Sequence, residues 1–121
     1  MGQTRETGRR GHESGYRNAD VLAKRLNAQR VSTQSNEFVM GSRRVLLKTG
    51  DRGAVASGTT LARVEAVIYA YQDHDRWCAF ELKPGDFRAH GAPSRSKSHQ
   101  GRDFLQLSKT QCKELGRQVL G

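Results

Sequence analysis

VEAVIYAYQDHDRWCAFELK, residues 64–83, contains the longest apolar run of the chain, and its reading decides how the remaining segments are arranged. The first half, 64–72, is rich in β-branched and aromatic residues and too apolar for a strand with one wet face, which places it centrally in a sheet. DHDR, 73–76, is a polar turn, and WCAFEL, 77–82, is a second strand stopped by Pro84-Gly85. That strand ends in Glu81-Leu82-Lys83, an acid, one spacer and a lysine. Period two puts the acid and the lysine on one face, as the edge of a metal-dependent active site requires, but an ordinary polar strand face reads the same way.

Upstream, EFVMGSRRVLLKTG, 37–50, reads as a hairpin, because Gly41-Ser42 is the Gly-first pair favoured in a type II′ turn. Such a turn pairs Glu37 with Leu46 and sets Lys48 on the same face. GDRGAVASGTT, 50–60, breaks the pattern with three glycines and reads as a loop. NADVLAKRLNAQRV, 18–31, has Asn18 to cap, Asp20 for the first turn and a narrow stripe of Val21, Leu22, Leu26 and Gln29, which predicts a helix at 19–30. Residues 1–16 are glycine- and arginine-rich and predict a disordered basic arm. The stretch 84–102 predicts a long basic loop, and the S-x-x-Q capping box Ser108/Gln111 predicts a last helix over 109–120. The expected fold is therefore one α/β (α+β) domain over 17–121, with a small, mostly antiparallel sheet of about four strands and flanking helices.

A chain of 121 residues has room for one core. Its net charge is +9 and its pI near 10.3, the electrostatic footprint of a partner carrying phosphates. Residues 1–48 hold ten Lys/Arg against four acids and 84–121 seven against three, while 49–83 hold four against five. Basic flanks thus surround a slightly acidic centre. Arg9, Arg10, Arg43, Arg44, Arg95, Lys97 and Arg102 are the candidate phosphate contacts. Cys78 and Cys112 form no C-x-x-C pair, so no disulfide framework or zinc ribbon is indicated, and two free thiols suit a reducing, cytoplasmic setting. His74 and Cys78 have no second pair to complete a zinc site, and His90 and His99 lie in the basic loop. No apolar leader or membrane-spanning run is present, which predicts a soluble protein, and a homodimer is an assembly open to a chain of this size.

Acids and lysines on successive strands, between helices, on a basic chain of this length, resemble the core of the PD-(D/E)XK nuclease superfamily, whose small members include restriction enzymes and archaeal-type junction resolvases. The resemblance covers about residues 12–115 and implies that two carboxylates hold Mg²⁺ while a lysine assists the attacking water. Two sets of residues match the motif. In one, Glu65 and Glu81 are the metal ligands and Lys83 stands beside the water. These acids converge only if paired residue numbers across the two strands sum to an even value, which needs an odd-length turn. In the other, Glu37 and Lys48 occupy motif positions, Glu13 matches the helix-borne glutamate, and Leu46 replaces an acid. The resemblance implies nucleic-acid binding with Mg²⁺-dependent endonuclease or junction-resolving activity. The alternative is a non-catalytic basic DNA- or RNA-binding or adaptor module, in which the same acids and lysines are solvent-facing strand residues. Tyr69, Tyr71, Trp77 and Phe80 read as core rather than as base-stacking platforms.

Overall fold

The structure, a computed structural model, describes residues 17–32, 35–94 and 103–121. The expected basic arm at 1–16 and residues 95–102 of the expected basic loop lie outside this set. Helix α1 covers 17–26, followed by β1 (Ala28–Arg30), β2 (Glu37–Met40), β3 (Arg43–Thr49), β4 (Gly53–Ser57), α2 (Gly58–Arg63), β5 (Ala66–Asp73) and β6 (Arg76–Leu82). The chain continues through α3 (Pro84–His90), β7 (Ala92–Pro93), β8 (Phe104–Ser108), α4 (Lys109–Leu115) and β9 (Arg117–Leu120).

The expected four-stranded, mostly antiparallel sheet is corrected by this arrangement. A six-stranded mixed sheet, in the order β1-β2-β3-β5-β6-β9, is joined by a three-stranded sheet, β4-β8-β7. The mixed character comes from the segment expected to be a loop. Residues 53–63 form β4 and α2, and this crossover returns the chain so that β5 lies parallel to β3, with Val45 opposite Ala66 and Thr49 opposite Ala70. Ser57 starts α2 by accepting a 3.1 Å hydrogen bond from the Thr60 amide. The central position expected for the apolar strand holds, since β5 is flanked by β3 and β6 and its first six residues are buried.

Each face of the six-stranded sheet carries its own core. Leu46, Val67, Tyr69, Tyr71, Phe80 and Leu82 pack with Ala54, Leu61, Phe87, Leu107 and Cys112, under β4, β8 and helices α2 to α4. On the other face Val45, Leu47, Ile68, Ala70, Trp77 and Ala79 pack with Ala19, Leu22 and Ala23 of α1. The α1 stripe is thus built on two alanines and Leu22, while Val21 is 47 % exposed. The aromatic residues expected in the core are there, with Tyr69 fully buried and its hydroxyl donating to the Gly50 carbonyl.

Other boundaries move for local reasons. Asn27 at φ 58° ends α1 in the left-handed region, so residues 28–30, expected as helix, become an edge strand. Within the expected basic loop, Pro84 opens α3, the Lys83 amide donates to the Asp86 carboxylate at 3.0 Å, and Phe87 is fully buried. Burying that one ring contributes roughly 2–3 kcal/mol toward holding α3 against the core. The Ser108/Gln111 capping box forms as expected, with reciprocal hydrogen bonds of 3.1 and 3.0 Å. The helix it starts ends at Gly116, short of the expected residue 120, and Arg117–Leu120 pair with β6, so Val119 packs with the α1-side core. No helix among the described residues is long and apolar enough to cross a membrane.

Gly53, the first residue of β4, has φ +135°, and a Cβ there would stand 2.1 Å from the Leu107 carbonyl oxygen. Gly53→Ala is predicted to destabilise the fold by at least about 2 kcal/mol, from left-handed strain plus the clash. A urea melt showing less than about 0.5 kcal/mol of loss would mean that β4 and β8 separate without cost.

Candidate nucleic-acid interface

The Gly41-Ser42 turn sets the geometry of the first cluster. Met40 pairs with Arg43 around it and Glu37 lies opposite Leu46, which puts Glu37, Arg44, Leu46 and Lys48 on one sheet face. α2 delivers Arg63 to the same place. The Glu65 amide donates to the Arg44 carbonyl at 2.8 Å, tying the exit of α2 to β3. Glu37 Oε1 accepts from Arg44 Nε and from Arg63 Nε, both at 3.2 Å, and Oε2 accepts from Arg63 Nη2 at 3.0 Å and from the Ser35 hydroxyl. The carboxylate is only 2 % exposed, whereas the Arg44 and Arg63 side chains are 43 % and 48 % exposed. Hydrogen bonding from Arg63, opposed by burial and helped by Ser35, holds the Glu37 pKa down at about 2.

The loop that carries Ser35 is organised by Arg30. Its guanidinium bonds Asp20 at 3.0 Å, the Ser32 and Ser35 carbonyls at 3.2 and 2.9 Å and Asn36 at 3.1 Å, and lies 4.6 Å from the Phe38 ring centroid. This fan of contacts holds the approach to β2 and hence the backbone on which Glu37 is presented.

A second arginine–carboxylate cluster lies on the α1 side. Arg43, adjacent to Arg44 and so pointing to the other face, bonds Glu81 at 2.5 Å, and Arg117 of β9 reaches it at 3.5 Å. Hydrogen bonding to Arg43 lowers the Glu81 pKa, and the same contact raises that of Arg43.

The motif sets anticipated from sequence are dispersed. The turn between β5 and β6 has two residues, His74 and Asp75, so Asp73 pairs with Arg76 and Ile68 with Glu81. Glu81 therefore shares the face of Ile68, while Glu65, exposed just before β5, falls by alternation with Val67 and Tyr69. The parity condition for a Glu65/Glu81 metal pair is not met. Lys83 is exposed beyond the end of β6, where it caps α3. Lys48 shares the Glu37 face but makes no ion pair among the described residues, and burial lowers its pKa. Arg43 and Arg44 are placed by their carboxylates. Arg9, Arg10, Arg95, Lys97 and Arg102, with Glu13 and His99, lie outside the described residues.

The described side chains around Glu37 do not fit Mg²⁺. The ion needs near-octahedral oxygen ligands, normally from carboxylates with free lone pairs. Glu37 already accepts four hydrogen bonds, two of its donors carry positive charge, and the residue opposite it is Leu46. Among the described residues no three His, Cys, Asp or Glu gather as a ligand group. What the clusters do is orient guanidinium groups. Each arginine has five N–H donors and spends only part of them on its carboxylate, so the half-exposed Arg44 and Arg63 retain donors toward solvent. Arg63, Arg30, Ser35 and Arg117 were not visible from sequence as site residues, because each joins its cluster through tertiary packing and none sits at a motif spacing.

Comparison of the chain with protein families, curated proteins and solved structures finds no match. The electrostatics of the Glu37 cluster are directly testable. A folded-state pKa near 2, below the usual 4.5, gives stability that is fully present above about pH 5 and is lost as the pH falls toward 2. The loss attributable to Glu37 amounts to roughly 3 kcal/mol. Glu37→Gln is expected to be less stable than wild type at neutral pH, with the difference shrinking across that acid window in urea titrations. A difference that does not change with pH would show that the Glu37 charge contributes nothing.

Proposed function

We propose that this chain is a nucleic-acid-binding module without nuclease activity, in which a buried carboxylate fixes arginines for phosphate contact. The observation that carries the reading is the Glu37 cluster, one nearly inaccessible carboxylate gripping two half-exposed guanidinium groups. A carboxylate in a metal-dependent site needs free oxygens. One that positions arginines needs its oxygens filled, as they are here. Planar guanidinium groups held in a fixed orientation suit phosphate oxygens, since little rotamer entropy remains to be lost on binding. A net charge of +9 supplies the long-range attraction that brings a polyanion to them.

The resemblance to PD-(D/E)XK nucleases supports a second reading, carried by one observation. Glu37 and Lys48 share a sheet face at the motif spacing, with Leu46 where the intervening acid would be. On that reading the fold is nuclease-like and the cation-binding half of the site has been replaced by arginines.

The test measures binding to duplex, branched and single-stranded DNA and to RNA across a salt series. Arg44→Ala and Arg63→Ala are each expected to flatten the slope of log K against log salt by about 0.9 on duplex DNA, one phosphate contact apiece. Glu37→Gln separates the readings. Removing a negative charge that merely repels phosphate tightens binding, whereas releasing two positioned arginines weakens it, and weakening is expected. No cleavage is expected with Mg²⁺ or Mn²⁺. Cleavage abolished by Glu37→Gln or Lys48→Ala would establish the nuclease reading, and a wild-type slope near zero on every probe would exclude nucleic acid as the partner.

A further inference from the structure

A second basic surface lies at the other end of the same sheet face. Tyr71, near the end of β5, is 8 % exposed, and its ring stacks on Phe80 with centroids 6.3 Å apart and planes 8° from parallel. Two lysines cover what remains. Lys109 Nζ stands 4.0 Å from the ring centroid and Lys113 Nζ 5.8 Å, so two ammonium groups one helical turn apart on α4 converge on one aromatic side chain. The Lys109 amide donates to the Arg52 carbonyl at 3.0 Å, which ties the backbone of exposed Arg52 to the start of α4. Asp51 and Glu114 are neighbours in sequence, yet among the described residues none of these three cations forms an ion pair. Two ammonium groups held at one ring, with no ion pair among the described residues, form a positive surface that attracts an anion.

The two basic surfaces are linked by the fold. Gly53, at the start of β4, pairs with Ser108 at the start of α4, and the β4–α2 segment then runs back to end at Arg63. Arg44 and Tyr71 share the Leu46 face, and the parallel register places Tyr71 one residue beyond the Thr49–Ala70 pair. Their separation along β3 is six residues, about 20 Å at the rise of an extended strand. Lys48, on the same face, falls between them.

The geometry points to Lys109 and Lys113 as a second phosphodiester-contact patch, engaged by the same nucleic acid that the Arg44/Arg63 pair binds. This inference rests on the proposed function and adds the footprint: one continuous strand or duplex following the β4–α2 segment, spanning about 20 Å or about six base pairs. A ligand shorter than that reaches one patch at a time.

The test uses DNA hairpins with stems of about 5 and about 15 base pairs, in the full chain, read as the salt slope of binding. Replacing Lys109 and Lys113 together by Gln is expected to reduce the slope on the long stem by about 1.8, two phosphate contacts, and to change it little on the short stem. Replacing both by Arg is expected to retain the slope. If the double Gln variant fails to fold by circular dichroism, Lys113→Gln alone, the lysine farther from the ring, is expected to lose about 0.9. An unchanged slope for the Gln variant that folds, while Arg44→Ala and Arg63→Ala lose theirs, overturns the second patch and leaves the proposed function standing. No loss in any of the variants overturns both. Polyglutamate competing as well as the long stem at equal charge overturns the phosphodiester assignment in favour of an acidic protein partner.

Discussion

Strand β5 is buried on both faces for six consecutive residues, and that constraint organises the molecule. A strand with no wet face must have a layer on each side and hydrogen-bonded neighbours along both edges. The chain supplies α1 on one side, and β4, β8 and α2 to α4 on the other. It supplies the edges with an antiparallel hairpin to β6 and a parallel pairing to β3. The parallel pairing forces a crossover, and the crossover is what carries Arg63 to Glu37. A core requirement thereby creates the charged cluster on the surface.

That cluster shows how a buried acid is stabilised by the groups around it. Removing a carboxylate from water costs several kcal/mol unless partners restore what hydration gave. Here two guanidinium groups and a hydroxyl do so, and the depressed pKa of Glu37 records the balance. The same exchange recurs on the opposite face with Glu81, Arg43 and Arg117. Adjacent residues Arg43 and Arg44 serve the two clusters because alternate strand residues face opposite ways.

Much of this was legible in the sequence where local chemistry decides. The Gly41-Ser42 turn fixed the pairing of Glu37 with Leu46, the Ser108/Gln111 box fixed the start of α4, and the apolar text of 66–71 placed β5 centrally. What stayed hidden depends on distant partners. GAVAS at 53–57 became a strand because Gly53 tolerates a carbonyl at close range and β8 lies beside it, and nothing in its own residues signals that. Val119 lies within the helix expected over 109–120, but Gly116 ends the helix and β6 offers an unpaired edge. The E-x-K reading of Glu81 and Lys83 turned on whether a turn had two residues or three, a one-residue difference that flips an entire face. The arginine partners were illegible for the same reason, since Arg63 and Glu37 are 26 residues apart.

The order of strands has a kinetic corollary. β5 and β6 are joined by a two-residue turn and meet almost at once, whereas β9 reaches β6 only after α3, β7, β8 and α4 have intervened. Pairings this distant in sequence carry a loop-closure cost before they return any contact, and they place mixed sheets among the slower-folding topologies. Until β9 arrives, the outer edge of β6 is an unpaired strand beside Trp77 and Ala79, and Arg117 is not yet opposite Glu81. Strand β9 therefore closes the six-stranded sheet and brings a second cation to Glu81 in one step, so a chain in which β9 has not docked presents an open edge and a carboxylate held by Arg43 alone.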